Sequence, residues 1–437
     1  MRKEDLEIAL DGAAQTAART LSAPGKPTFR HVFANPEFRA LWLAQLLSVA
    51  GDQLARLAIT VLVYDRTRSP FWTALTYAVT LLPWLVGGLA LSGLADRLPR
   101  RQVMVACDIA RLVLVGLMAL VSLTAPPGTG LWILVGLLFV VTLLDSPFKS
   151  ARSAMMPDIL TGERYVLGTA VTQTTFQVGQ VAGYALGGLV VAFLGVRTAL
   201  LVDAATFAVS AILVWFWVRH RPAAAGSAAG HRSQFAEMAA GVRLVFSHGT
   251  LRTLMLLGWL VAFYVVPMGL AAPYAASLHA PLAIPISTGL VFAAGPFGAA
   301  VGAVAFGRMV TPQVRQRWMG PMAIAACGVL LLCALQPDLI AALLIIAVSG
   351  ACASYQLAAN AAFVAAVPAE RRGQAFGLAN GGMQVTQGLV IVLAGAVASS
   401  HAITPATAIA ISGGLGAILA AALATSWRRN TTRSGVF

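Results

Sequence analysis

Twelve apolar segments, each long enough to cross a bilayer, dominate this sequence. An α-helix needs about 20 apolar residues to cross the hydrocarbon core. Only 11% of the 437 residues are charged and 58% are hydrophobic, whereas soluble domains carry about 25% charged residues. The segments are continuous rather than short and alternating, which excludes a transmembrane β-barrel. The sequence therefore predicts an all-α polytopic membrane protein. The predicted spans, numbered 1 to 12, are 40–64, 71–95, 102–124, 131–151, 165–193, 197–218, 252–275, 284–307, 318–336, 338–365, 373–400 and 405–427.

The distribution of Lys and Arg predicts the orientation. With the N-terminus in the cytoplasm, the external loops hold only Arg66, Arg68 and Arg197. Arg56 and Arg111 lie within spans, and the other 25 of the 30 basic residues fall in cytoplasmic segments or at their membrane edges. The positive-inside rule then predicts an inner-membrane protein with both termini cytoplasmic. We interpret the net charge of +14 as a result of the membrane topology and as suited to contact with anionic lipid. Nucleic-acid binding is the competing interpretation, and it would need a polar domain that presents a basic patch, which the sequence does not contain.

The longest polar stretch between spans, 219–251, divides them six and six. We predict a cytoplasmic N-terminal segment over 1–38 and a six-helix bundle over 39–218. A cytoplasmic linker over 219–251 follows, and then a second six-helix bundle over 252–427 and a cytoplasmic tail over 428–437. Residues 1–38 hold no apolar core and are not expected to be a signal peptide.

Spans 5 and 11 carry an internal repeat. Each has three amide side chains spaced 0, 4 and 7, which lie on one face of a helix. The trios are Gln173, Gln177 and Gln180, and Asn380, Gln384 and Gln387, at a constant offset of 207. Gly188 and Gly395 share this offset. Two halves of like topology imply a pseudo-two-fold axis along the membrane normal, with a binding site between them at the midplane.

A short charged turn, Gly93 to Arg101, joins spans 2 and 3. It resembles the signature loop of the major facilitator superfamily, Gly-x-Leu-Ala-Asp-Arg-x-Gly-Arg-Arg, with Ser92 and Pro99 replacing the two glycines. The resemblance extends over nearly the whole chain. It implies two pseudo-symmetric six-helix bundles, and transport by rocking of the two halves. The segments that further resemble the drug, siderophore and secondary-metabolite exporters are Phe38–Leu43, Gly51-Asp52, Asp108-x-x-Arg111 and Pro147–Pro157. Span 5 resembles the antiporter motif of the superfamily in its glycines, with Tyr184 where the motif has Pro.

Asp52 and Arg56 are the candidate proton-coupling residues. They lie i, i+4 near the middle of span 1, so they can pair on one helix face. An ionisable residue at this depth costs about 2.5–3.5 kcal/mol on insertion scales and normally faces protein or a wet cavity. The functional interpretation is a carboxylate that takes up and releases a proton, with Arg56 leaving Asp52 during the cycle. The alternative is a static ion pair that braces the bundle.

Uncharged hydrogen-bonding side chains are predicted to line the substrate cavity, beside aromatic residues such as Tyr77, Trp84 and Tyr264. They are Gln173, Gln177, Gln180, Tyr355, Gln356, Asn360, Asn380, Gln384 and Gln387. Such groups suit a small amphipathic substrate. The alternative interpretation is polar contact between helices, worth about 0.6 kcal/mol for each pair.

A set of interleaved acids and bases is the candidate cytoplasmic gate. Its members are Asp96, Arg97, Arg100, Arg101, Asp108, Arg111 and Asp145. The family resemblance implies that Asp96 contacts the N-terminus of span 11, where the helix dipole favours an anion, and that Asp145 accepts from an arginine. Breaking such contacts in one conformation gives a two-state latch. The alternative is ordinary positive-inside charge.

The remaining sequence features argue against a metalloprotein, an ATP-driven transporter and a membrane enzyme. The four cysteines show no metal spacing, no phosphate-binding loop is present, and no catalytic set lies at membrane depth. We therefore predict a transporter, not an enzyme, without cofactor or metal and driven by a proton gradient. The preferred function is proton-coupled efflux of small amphipathic molecules by a monomer. The alternatives are an importer or facilitator of a polar solute, and a lipid or lysolipid flippase.

Overall fold

The computed structural model describes residues 29–83, 98–124, 127–221, 242–243, 245–368, 371–400 and 402–433. These ranges contain helices and turns and no strand. Ten of the described helical segments are long and apolar enough to cross a membrane. The predicted all-α membrane fold is confirmed.

The first half begins with a well-capped helix. Asn35 precedes Pro36, and its Oδ1 accepts from the amide of Glu37 at 2.9 Å. An N-cap amide followed by proline at the first helical position is a favoured helix start. The helices of this half are Phe29–Phe33, Pro36–Thr67, Pro70–Val79, Arg100–Thr124, Pro127–Ile159 and Glu163–Trp217. Phe29–Phe33 lies before span 1, in the predicted N-terminal segment, and the other helices follow spans 1 to 6, of which span 2 is described only as far as residue 83.

The last helix of this half contains two spans. Its 55 residues would extend about 80 Å at 1.5 Å per residue, far more than the roughly 30 Å hydrocarbon core. Gly195 interrupts it with φ 81° and ψ 166°. Glycine adopts such a conformation without a Cβ clash. Spans 5 and 6 are therefore joined at Gly195, between the two predicted ranges.

The second half has more broken helices. Span 7 consists of four short helices. Pro267 and Pro273, each of which removes a backbone donor, follow the second and third of its three breaks. The elements of this half are Gly249–Trp259, Val261–Tyr264, Val266–Gly269, Ala271–Ser277, Ile284–Met309, Pro312–Gly328, the 3₁₀ turn Val329–Leu335, Leu339–Cys352, Tyr355–Ala366, Arg372–Ala398 and Pro405–Arg433. They follow spans 7 to 12.

The two halves pack through span 5 against span 8 and through span 2 against span 11. Gly188 lies so close to span 8 that a Cβ there would be 2.7 Å from the carbonyl oxygen of Pro285. At Gly395 a Cβ would be 3.1 Å from the carbonyl oxygen of Pro70. The two glycines that share the 207-residue offset thus occupy equivalent crossings between the halves.

These crossings lie at one end of the molecule, which we call the contact end. The amide of Phe71 donates to Ser399 Oγ at 2.9 Å there, joining the halves. The positions that mark this end are Pro70, Gly188, Pro285 and Ser399. Pro70, Pro285 and Ser399 lie in or beside the loops that the distribution of Lys and Arg predicts to be external, and Gly188 lies within two turns of such a loop.

Candidate functional site

A cavity of about 350 Å³ lies between the two halves, and we call it the central cavity. On spans 2 and 8 its lining residues come after the crossings in the sequence, and on span 5 they come before the crossing, so on all three spans they lie further from the contact end. From the first half, Tyr77, Gln177 and Gln180 line it. The second half contributes Val261, Tyr264, Val265, Pro267, Met268, Gly295, Pro296, Ala299, Ile346, Ser349, Gly350, Ala353 and Gln356.

Gln356 and Tyr264 are the polar pair on the second-half wall. Gln356 Nε2 donates to the hydroxyl of Tyr264 at 2.6 Å and lies 3.4 Å from the carbonyl oxygen of Gly258. Tyr355, the next predicted residue, is fully buried, and its hydroxyl donates to the carbonyl oxygen of Leu257 at 2.7 Å. Tyr355 therefore supports the wall from behind rather than lining the cavity.

The amide trios of spans 5 and 11 do not contribute equally. Gln177 and Gln180 line the central cavity, whereas Gln173 is exposed about one turn away. On span 11, the buried Gln387 donates through Nε2 to Gln384 Oε1 at 3.2 Å. Asn360 and Asn380 are exposed. The structure thus brings Gln177, Gln180 and Gln356 together at this cavity, and places the other predicted amides outside its lining.

Stacked aromatic rings join the halves where the central cavity meets the contact end. The ring of Phe292 in span 8 stacks on Tyr184 at 4.7 Å and on Tyr77 at 5.9 Å between centroids. Tyr184 is fully buried. Such stacked pairs contribute about 0.5–1.5 kcal/mol beyond their burial. Tyr184, where the antiporter motif has Pro, is therefore part of the joint between the halves.

Arg56 connects this aromatic stack to the charged interior of the first half. Its Nη1 donates to the hydroxyl of Tyr184 at 3.3 Å, and its guanidinium carbon lies 5.8 Å from the centre of the Tyr77 ring. No ion pair joins Arg56 to Asp52. The i, i+4 spacing permits that pair, but in this conformation the guanidinium reaches to Tyr184 of a neighbouring helix instead.

A second, smaller cavity lies inside the first half, and we call it the acid cavity. Its volume is about 30 Å³, enough for about one or two water molecules. Three carboxylates and one guanidinium line it, from Asp52, Asp145, Asp203 and Arg56, with apolar side chains around them. The acid cavity and the central cavity are therefore linked through Arg56 and Tyr184.

Asp203 is the residue that reasoning from the sequence missed. Only 1% of its surface is exposed, and Thr206 Oγ1 lies 3.4 Å from its Oδ1. It packs so closely on Gly51 that any Cβ at Gly51 would overlap its carboxylate. The sequence held a signal for Asp203, because the carboxylates that lie inside spans, rather than at their ends, all belong to the first half. In the second half, Asp338 caps the helix that begins at Leu339, and Glu370 lies between spans 10 and 11.

Asp145, Asp108 and Arg111 form the inner part of the predicted gate. Asp145 pairs with Lys149 at 2.6 Å and with Arg111 at 3.7 Å. Asp108 accepts from Ser210 Oγ at 2.6 Å. Arg111 is fully buried, and the rings of Phe148 and Phe207 lie 4.8 Å and 5.1 Å from its guanidinium. A buried charge requires such partners, so these contacts hold spans 3, 4 and 6 together.

Arg100 and Arg101 form a separate, outer group. Arg100 pairs with Asp158 at 2.8 Å, and the guanidinium of Arg101 lies over the Trp215 ring at 4.6 Å. Asp96 and Arg97, like Trp84, lie outside the described residues. The six ion pairs named for the described residues lie between residues 37 and 221, in the first half and the segments that flank it.

Comparison with known proteins identifies the family. The model of the Major Facilitator Superfamily matches residues 41–335, which is more than half of the chain. The chain belongs to the major facilitator superfamily. It is therefore a multi-pass membrane transporter rather than an enzyme, and transporters of this superfamily generally need no cofactor.

Relatives of known sequence are distant. The chain is 27% identical over 42% of its length to YkuC of Bacillus subtilis, which is named an MFS-type transporter, and this match covers 42% of YkuC. It is 28% identical over 63% of its length to the enterobactin exporter EntS of Citrobacter koseri, covering 64% of that protein. The matches thus span less than two thirds of these relatives. A bacterial homologue of the iron transporter ferroportin, solved in an inward-facing state, has the same fold. It superposes with a TM-score of 0.68 at 14% identity, over 92% of this chain and 99% of that one.

Proposed function

We propose that this chain exports small amphipathic molecules across the cell membrane in exchange for protons. The observation that carries the proposal is the contact between Arg56, which lines the acid cavity, and Tyr184, which stacks at the end of the central cavity. Through this contact, a change of charge beside Arg56 acts on the joint between the halves. A carrier that couples two solutes needs such a physical link.

The lining of the central cavity selects the substrate class. It holds aliphatic and aromatic walls, three amides and two tyrosines, and its described lining contains no charged side chain. A neutral or weakly polar molecule with an apolar body fits such a surface, because apolar walls supply affinity and a few polar groups fix orientation. The named export function of EntS supports outward transport.

The orientation predicted from Lys and Arg sets the direction of loading. With both termini in the cytoplasm, the contact end is external. The halves then meet on the outer side of the central cavity, and substrate enters from the cytoplasm. Rocking of the two halves about this cavity would expose it outward in the other conformation.

Proton coupling would operate through a change of partner for Arg56. When Asp52 is charged, Arg56 turns to it and its guanidinium leaves Tyr184. The stacking of Tyr184 on Phe292, which joins the two halves, is then weakened. When Asp52 holds a proton, Arg56 keeps its contact with Tyr184. Asp203 and Asp145 line the same cavity, so they set the field in which Asp52 exchanges its proton.

The predicted gate residues have a matching role in this proposal. Asp108, Arg111 and Asp145 brace the interior of the first half, and Arg100 and Arg101 hold its cytoplasmic edge. Together with Asp96 and Arg97 they would stabilise the conformation in which the cytoplasmic side is closed. We propose that the chain acts as a monomer, because the two halves already enclose one cavity.

Everted membrane vesicles test the proposed function directly. Vesicles from cells that express the chain are energised to acidify their lumen, and a panel of neutral and cationic amphiphilic dyes is added outside. We expect uptake of at least one dye, abolished by a protonophore. We expect Gln180→Leu to weaken this uptake and Asn360→Leu, an exposed amide on span 10, to preserve it. Uptake only by vesicles of the opposite orientation would contradict export.

A further inference from the structure

Spans 9 and 12 diverge at one end and leave a groove of about 590 Å³ between them. Close packing of Gly320 on Ala424 forms the base of the groove, where a Cβ on Gly320 would lie 2.8 Å from the Ala424 methyl. Above this point the facing residues are spaced three and four apart, as on one face of each helix. They are Gln313, Gln316, Arg317, Gly320 and Pro321 on span 9, with Ala424, Trp427 and Arg428 on span 12, and Val314 beside them.

The position of the groove places it at a membrane surface. It lies at the beginning of Pro312–Gly328 and near the end of Pro405–Arg433, which are neighbouring membrane spans. Two arginines, Arg317 and Arg428, line its upper part, and Trp427 lies one turn above the Gly320 contact. Tryptophan and arginine are the side chains that anchor proteins at the level of lipid headgroups.

The stretches of sequence that form the groove carry arginines and no acidic residues. No Asp or Glu occurs between residues 238 and 337 or between residues 371 and 437. The neighbouring Arg315 has another role, because its guanidinium donates to the carbonyl oxygens of Val310 and Gly307 and closes the preceding turn. Arg317 makes no ion pair within the described part of the chain. This chemistry complements a phosphate.

We propose that this groove binds the headgroup of an anionic phospholipid. Arg317 and Arg428 provide the counter-ions for its phosphate. Trp427 lies against the glycerol region, and the apolar side chains of Val314 and Pro321 lie along the upper part of an acyl chain. Each arginine near a membrane surface contributes about five- to sixfold to the affinity for an anionic lipid, so the pair contributes about thirtyfold. The site is separate from both the central cavity and the acid cavity.

Lipid binding to the purified full-length chain tests this proposal. The protein in a neutral detergent, with co-purified lipid removed, is titrated with phosphatidylglycerol and, separately, with phosphatidylcholine. Binding is followed by native mass spectrometry and by the rise in thermal transition temperature. We expect the variant Arg317→Gln/Arg428→Gln to bind phosphatidylglycerol about thirtyfold more weakly than wild type. The control Arg308→Gln/Arg372→Gln, which removes the same charge at exposed positions elsewhere, should stay within about twofold of wild type.

Other outcomes would overturn the proposal. Equal binding of the two lipids by wild type, or equal losses in the two double variants, would mean general attraction by the positive surface. Competition by millimolar inorganic phosphate would identify a site for free anions rather than lipid. If the first variant fails to fold, Arg317→Lys/Arg428→Lys keeps both charges, and its failure to retain preference for phosphatidylglycerol would also contradict the assignment.

Discussion

Replacing Gly188 by alanine is expected to open the contact end. The new methyl would lie 2.7 Å from the carbonyl oxygen of Pro285 and 3.1 Å from the Cα of Ile286, and both are backbone atoms that cannot turn aside. Overpacking of this kind costs about 1–3 kcal/mol. The cost applies only while spans 5 and 8 are in contact, so it shifts the ratio of the two conformations about 5- to 150-fold towards the one with the contact end apart.

Spin-label distances across the contact end measure this shift. Labels at Arg197 in the first half and Leu282 in the second, both exposed, are introduced into a background that lacks the four native cysteines. We expect Gly188→Ala to add a longer-distance population that the parent lacks or holds at a low level. The control is Gly116→Ala, because a Cβ at Gly116 meets nothing within 4 Å.

An unchanged distance distribution in a folded Gly188→Ala protein would refute the reasoning. It would mean that the crossing of spans 5 and 8 relaxes by small backbone shifts without separating the halves. The same long-distance population in Gly116→Ala would also refute it, since that change adds no contact between the halves.

Two further substitutions examine the charged interior. Tyr184→Phe keeps the ring stack but removes the acceptor for Arg56, and we expect the free energy of unfolding to fall by about 1.5 kcal/mol. Denaturant titration in detergent measures this, and no loss would mean that the hydrogen bond is not formed in the membrane protein. Asp145→Asn leaves the buried Arg111 without its carboxylate and should cost about 3 kcal/mol in the same assay. Asp65→Asn, which breaks an exposed pair with Arg68, should cost under about 1 kcal/mol, and similar losses in the two variants would contradict the burial argument.

The fold followed from the sequence because hydrophobic length and periodicity decide it. Twelve apolar segments predict twelve spans whatever the details of packing. The 207-residue offset between Gly188 and Gly395 identified two positions that the structure places at equivalent crossings. Both glycines are required where backbones approach closely, and this requirement is visible in the sequence as a repeated small residue.

The partners of individual side chains did not follow from the sequence. Arg56 has Asp52 one turn away, yet it donates to Tyr184 on another helix, and only the packing of spans 1 and 5 determines that choice. Asp203 was overlooked because it lies six residues from Arg197 near the start of a span, where a charge suggests the membrane surface. Tilt and packing place it against Gly51 in the interior instead.

The repeat also predicted more symmetry than the cavity has. Gln177 and Gln180 line the central cavity, whereas Gln384 and Gln387 bond to one another outside its lining. Equal spacing fixes a helix face, but the rotation of each helix in its bundle decides what that face meets. The broken span 7, which supplies Tyr264 to the cavity, has no counterpart of this kind among the described helices of the first half.

Substrate-driven proton movement in proteoliposomes tests the central claim most directly. Purified wild type and Asp52→Asn are reconstituted with a pH-sensitive dye inside, and a gradient of an amphiphile that the vesicle assay identified is imposed. The account predicts proton flux opposite to substrate flux in wild type, and loss of proton flux in Asp52→Asn. Substrate movement without proton flux, unchanged in Asp52→Asn, would contradict exchange and leave Asp52 and Arg56 as a structural brace of the first half.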